Sequence, residues 1–266
     1  MQDKKNNDIN QDSALPLHPL SSVISYGIPA YNLVMELCDT SKTTAKDLLH
    51  LITIDPYLMC ITQKLYHYYH PEVKEYTDIE HIIIALSVNS VKNMILRIAE
   101  KTVYHKSKDQ TKFLTHSNAA AVCSMLIAKE NGETSLQKYY AAGLVHDIGK
   151  YITYQRGGNY LKGGIKFAKD CALPPELLDP ITYHQSFKNY EGRHIKILGT
   201  VGFANYFVNR LGLSTHNKGK GYIPSAVLQA LNIKKDEAEN IIKKLTPIFL
   251  ENFKKQEDFI SSKGGA

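Results

Sequence analysis

What most constrains this chain is the spacing of its apolar residues. From about Ala30 onward they recur at three- and four-residue intervals, and no stretch alternates apolar with polar long enough to cover one face of a sheet. Asn131-Gly132, a pair that could turn a hairpin, follows a helical run and does not join two β-rich ones. The chain is therefore expected to be all-α.

Local signals divide it into helices. Leu33, Val34, Leu37 and Cys38 share a helical face that ends at Asp39-Thr40-Ser41-Lys42. Thr43 or Thr44 can cap a second helix burying Leu48, Leu49, Leu51 and Ile52. Asp55-Pro56 supplies a cap and a first-turn proline for a third, running to about Tyr69. Asp78 is read as the cap of a fourth through Leu86, and a fifth starts near Val91 with Met94, Ile95 and Ile98 on one side. A long helix follows from about Gln110 to Lys129, and one from about Ser135 carries His146-Asp147 until Gly157-Gly158 breaks it.

Beyond that break, Ile165, Phe167, Ala168 and Cys171 make a short helix, and another begins at Pro175 and ends near Tyr183-His184. Ile195 to Leu211 is a long amphipathic helix; Gly219 and Gly221 form a linker, and two short helices end the chain, Ser225 to Leu231 and Asp236 to Ile260. Residues 1–14 are polar and aperiodic, a disordered lead-in.

Composition enters where it excludes functions. The four cysteines, Cys38, Cys60, Cys123 and Cys171, form no CxxC pair, which argues for reduced, buried thiols and against a zinc knuckle or disulfide framework. The net charge of +6 lies partly in lysine doublets at 234–235, 243–244 and 254–255, which read as solvated helix faces; no aromatic-rich basic motif accompanies them, so nucleic acid is not an expected partner. No window approaches the ~18–20 apolar residues that cross a bilayer, and no apolar signal region follows Met1, so a cytoplasmic protein without membrane contact is expected.

Gly143-Leu144-Val145-His146-Asp147-Ile148-Gly149-Lys150 concentrates the chemistry. A histidine and an aspartate inside an apolar run must find partners, from the protein or from a metal. His116, His184 and the polar Asn205 lie on other helices that could converge on the doublet, as in helical bundles that build metal sites from inward-facing side chains. Imidazoles with a carboxylate suit iron, manganese or zinc better than calcium. His67 and His70 belong to a Tyr/His cluster next to Pro71 that reads as a packed aromatic patch.

The stretch from Gly143 to Lys150 resembles the namesake motif of the HD superfamily of metal-dependent phosphohydrolases. Leu15-Pro16-Leu17-His18-Pro19, Ile54-Asp55-Pro56-Tyr57-Leu58, Ile79 to Leu86 and Val91-Lys92-Asn93 are similar to the amino-terminal helices of its HDOD branch, a bacterial signalling module. The resemblance implies an HDOD domain over 15–231, with an amino-terminal helical subdomain (15–109) and an HD-like half (110–231), followed by a carboxy-terminal helix and tail (232–266). It also implies a site of His116, His146, Asp147, His184 and Asn205 for one divalent iron, manganese or zinc ion, which could also stand empty.

The chain departs from the pattern at several places. Asn205 stands where the family has an aspartate, and Tyr160 where phosphodiesterase relatives have a histidine; the downstream double histidine is reduced to Tyr183-His184, and the Gly-Tyr-Pro signature of cyclic-dinucleotide phosphodiesterases is absent. Fewer carboxylates leave too few ligands for two-metal hydrolysis. The expected function is a regulatory module with a degenerate site, acting on partners such as kinases, response regulators or cyclic-dinucleotide enzymes. The alternative is a metal-dependent phosphohydrolase or phosphodiesterase acting on a nucleotide or cyclic dinucleotide.

Overall fold

The computed structural model describes residues 31–38, 42–99, 108–156, 158–187, 190–214 and 223–264. The expected lead-in at 1–14, the Leu15 to Pro19 stretch, Gly157 and the Gly219/Gly221 linker lie outside the described residues. Every regular element among those described is an α-helix.

Five helices make the amino-terminal part: α1 (Tyr31–Cys38), α2 (Ala45–Ile54), α3 (Pro56–Tyr69), α4 (Ile79–Leu86) and α5 (Val88–Ala99). Thr44 and Asp47 form a reciprocal capping box at the start of α2, satisfying two otherwise unbonded amides. Asp55 accepts from the amides of Tyr57 and Leu58, with Pro56 at the first helical position of α3. Two expectations need correction here. Asp78 occupies the cap position of α4 but its side chain makes no capping bond. The fifth helix starts at Val88, because the Ser87 hydroxyl accepts from the Ser90 amide and caps the turn that had read as a linker.

The second part contains α6 (Lys108–Glu130), α7 (Leu136–Val145), α8 (Ile148–Arg156), α9 (Tyr160–Asp170), α10 (Pro175–Tyr183) and α11 (Ile195–Arg210). The helix expected to run unbroken from about Ser135 through the His-Asp doublet is two helices, and His146 and Asp147 occupy the bend between them. The reason is a tight crossing just beyond. A Cβ on Gly149 would stand 2.0 Å from the Tyr160 carbonyl oxygen and 2.9 Å from the Gly164 amide nitrogen, so α8 must leave the α7 axis to dock its glycine on α9. Gly143 serves the same end on α7, where a Cβ would meet the Ala120 carbonyl oxygen at 2.6 Å, so α6 and α7 pack backbone to backbone.

The last two helices are α12 (Ser225–Leu231) and α13 (Lys235–Gly264). The helix expected over Asp236 to Ile260 is α13, which begins one residue earlier, runs four further and is 30 residues long. Its Ala238, Ile242, Leu245, Phe249 and Phe253 are buried with Ala119, Cys123 and Ile127 of α6 and Phe203 and Phe207 of α11 in a second apolar cluster. Burial of each such phenylalanine is worth about 1.5–3 kcal/mol. A larger cluster runs from α1 through α5 into α7 to α10, so the two parts share a core.

All four cysteines are free and buried. Burial pushes the Cys38 thiol up to about 12, which keeps it protonated and unreactive. Among the described residues no single helix is long and apolar enough to cross a membrane.

Candidate metal centre

Three helical segments deliver imidazoles to one carboxylate. His116 comes from the middle of α6, His146 and Asp147 from the α7–α8 bend, and His184 from the residue that closes α10. All four are buried, none more than 7% exposed.

Each ring is held by the same edge. Nδ1 lies 2.8 Å from a backbone carbonyl oxygen in every case: Leu213 for His116, Gly143 for His146 and Pro180 for His184. A carbonyl only accepts, so Nδ1 carries the proton, and a neutral ring then turns the Nε2 lone pair inward. Those lone pairs converge. Nε2 of His116 and of His146 each lie 3.4 Å from Asp147 Oδ2, and Nε2 of His184 lies 3.3 Å from Oδ1.

Among the described residues none of the three Nε2 atoms, nor Asp147 Oδ1, has a hydrogen-bond partner. Four acceptors facing one another in a dry interior are unstable unless a cation sits among them. Charge distribution points the same way. Burial lowers the pKa of His146, and the neighbouring His184 and His116 add to this against the opposing pull of Asp147, which favours the neutral, ligating ring.

The residues fit a divalent ion. His116, His146 and Asp147 each offer a ligand atom within 4.8 Å of the others, and His184 adds a third imidazole from the far side of the carboxylate. Carbonyl-anchored imidazoles with one carboxylate are the donor set of zinc, iron or manganese sites, in which an outer partner fixes the tautomer of each ligating ring.

One cation is already present. Lys150 Nζ donates to Asp147 Oδ2, and its ammonium also lies 5.6 Å from the centre of the Tyr160 ring. The Gln185 amide in turn donates to the Tyr160 hydroxyl, which ties α9 to the chain after α10. Lys150 is thus a pairing lysine.

Four of the five sequence-derived ligands therefore come together. The fifth, Asn205, is half-buried on α11, and its amide oxygen accepts from Asn209 one turn on, at 3.2 Å; among the described residues no hydrogen bond links it to Asp147 or the three histidines. His67 and His70 stay apart from the site. His70 packs on Tyr66 with ring centres 4.5 Å apart, and its Nδ1 faces Glu72 at 3.4 Å. The anchoring carbonyls of Gly143, Pro180 and Leu213 escaped the sequence reading, since a backbone acceptor leaves no mark on residue type.

An all-α bundle with a buried His-Asp doublet at a helix bend, joined by an upstream and a downstream histidine, defines an HD-type helical domain. The chain belongs to the HDOD domain family, whose model matches residues 29–174. In fold it is similar to the MmoQ response regulator of Methylococcus capsulatus, with a TM-score of 0.59 and 14% identity over 83% of this chain and 98% of that one. In sequence it is similar to ribonuclease Y of Mycoplasma mycoides, 28% identical over 123 residues that make up 43% of this chain and 29% of the relative. It is also similar to ribonuclease Y of Campylobacter fetus, 32% identical over 40% of this chain and 20% of the relative. The matched region thus spans under a third of the length of these curated relatives.

Proposed function

We propose that this HDOD protein is a bacterial regulatory module that acts through protein contacts, and that its His-Asp site holds a single metal ion as a structural tie without hydrolysing a substrate. The observation behind this reading is the closure of the site. Asp147 is 1% exposed and one of its oxygens is engaged by Lys150, which supports a site closed by protein groups over one open to a phosphate ester. Catalytic metal sites keep such a position, whereas structural ones are closed by protein ligands. Two-metal ester hydrolysis would need further carboxylates, and among the described residues His116, His146 and Asp147 are the one group of at least three such ligand types close enough to share an ion.

When bound, the metal would supply a charge that links α6, the α7–α8 bend and α10. His116, His146 and His184 would present Nε2 to it, Asp147 would offset its charge, and Lys150 would share the same carboxylate. Partners such as kinases, response regulators or cyclic-dinucleotide enzymes would then read the surface of the assembled bundle. Elemental analysis of untagged protein should find about one zinc, iron or manganese per chain. Cyclic-dinucleotide and nucleotide hydrolysis with added manganese should stay at the level of a His146→Ala control; manganese-dependent turnover lost in that variant would refute the reading.

A second reading, metal-dependent phosphodiester hydrolysis, is favoured by the similarity to ribonuclease Y. It predicts cleavage of RNA with added manganese, lost in His146→Ala, and tighter metal binding in Asn205→Asp.

A further inference from the structure

A sizeable cavity lies away from the His-Asp site, where the amino-terminal helices, α7 and α13 meet. Its volume is about 640 Å³, within the range of pockets that hold small organic ligands. Leu49, Ile54, Met59, Ile79, Met125 and Leu136 form apolar walls, contributed by α2, α3, α4, α6 and α7. Its α7–α13 side is already braced by polar bonds. The Tyr140 hydroxyl donates to the Thr53 carbonyl at 3.0 Å and accepts from Gln256 on α13 at 2.8 Å. Asn118 of α6 holds the Ile54 carbonyl at 2.9 Å, while its own oxygen accepts from Gln256. A preformed apolar space with fixed polar groups at one side loses little order when it takes a ligand.

The rim has a sign. Asp78 and Glu80 both line the opening, both are exposed, and no hydrogen bond or ion pair joins either side-chain carboxylate to a described residue. Asp78 is the residue whose carboxylate leaves the α4 cap unmade. The basic groups opposite are compromised. Lys255 is held by Glu251 at 2.7 Å, and burial, with Lys46 nearby, pulls the His50 pKa below its ordinary value. The lining thus carries two exposed carboxylates, Asp78 and Glu80, while its one lysine, Lys255, is paired to Glu251.

We infer that this cavity is a binding site for a small apolar molecule with a cationic amine head, its body between Leu49, Met59, Met125 and Leu136 and its ammonium beside Asp78 and Glu80. Such a ligand would clamp α13 against α2 and α4, and so would set how firmly the carboxy-terminal helix holds the amino-terminal part.

Three isosteric fluorescent probes test this with the full chain: 1-pyrenemethylamine, 1-pyrenemethanol and 1-pyrenecarboxylate. The amine should bind saturably and one to one, roughly tenfold tighter than the alcohol, with the carboxylate weakest. Leu136→Trp, which fills the space, should abolish binding of all three without lowering the melting temperature, and Met125→Phe serves as a second filling variant if the first fails to fold. Asp78→Asn with Glu80→Gln should reduce the amine to the affinity of the alcohol. No saturable binding, equal affinity for amine and carboxylate, or binding undiminished in a folded cavity-filling variant would each overturn the assignment.

Discussion

Two groups of histidines in this chain meet opposite fates. His67, His70 and His81 lie around Tyr66, where His70 stacks on the ring, His81 meets it edge-on at 5.9 Å, and the Glu75 carbonyl and Glu72 carboxylate lie beside two of the rings. His116, His146 and His184 lie around Asp147, every ring held by its Nδ1 edge and turning Nε2 inward. The first group has an aromatic centre and partly exposed rings, and its polar contacts, His67 to the Glu75 carbonyl and His70 to Glu72, go to separate partners. The second has a charged centre and buried rings, and these share one partner. What makes a site of the second group is the repeated anchoring of one edge, which spends every Nδ1 proton on a backbone carbonyl and leaves three lone pairs for one ion.

The comparison can be broken most sharply at its centres. Asp147→Ala leaves three inward-facing imidazoles without their carboxylate and should cost about 3–5 kcal/mol of unfolding free energy by urea titration. A loss near zero would mean that the cluster is no more coupled than the aromatic one. Replacing one ligand, His184→Ala, should weaken metal affinity by at least about 10- to 100-fold in a competitive chelator titration, while His70→Ala leaves it unchanged.

Geometry can be disturbed without touching a ligand. Gly149→Ala pushes a methyl against the backbone of α9 and should destabilise by about 1–3 kcal/mol, with metal content falling as the α7–α8 bend opens. An unchanged metal content in a destabilised Gly149→Ala would show that the bend and the site are independent. The smallest effect is expected in the outer cluster: Glu72→Ala removes a partly exposed His70 pair and should shift stability by no more than about 1 kcal/mol.

Much of the fold was legible because its signals are local. Asp55-Pro56 marks the start of α3 by cap and φ restriction alone, Thr44 and Asp47 mark α2, and Pro175 marks α10. The misreadings share a different origin. The doublet at 146–147 continues an apolar helical pattern with no glycine or proline between, so nothing nearby announces the bend; the docking of Gly149 on Gly164, fifteen positions on, imposes it. The span of α13 was read to within a turn, Asp236 to Ile260 against Lys235–Gly264, but its packing was not. Its apolar face is spread thinly among charges and becomes a helix of 30 residues only by lying on α6.

The site divides along the same line. Residue type and the HD-like motif named His116, His146, Asp147 and His184, because imidazole and carboxylate inside apolar helices have few other uses. Asn205 was named by alignment to that motif, yet its helix position pairs it with Asn209. The sequence by itself determined an all-α chain, the start of most helices and the identity of the polar residues that burial would force together, since capping, φ restriction and periodicity act within one or two turns. Only the tertiary structure decided that α7 ends at His146, which edge of each ring faces Asp147, and that Lys150 takes one of its oxygens. The orientation of His116 depends on the Leu213 carbonyl and the bend on the backbone crossing at Gly149, contacts that exist only once distant segments have packed; the Pro180 carbonyl and Lys150 are local partners whose choice follows from the path of α10 and of the bend.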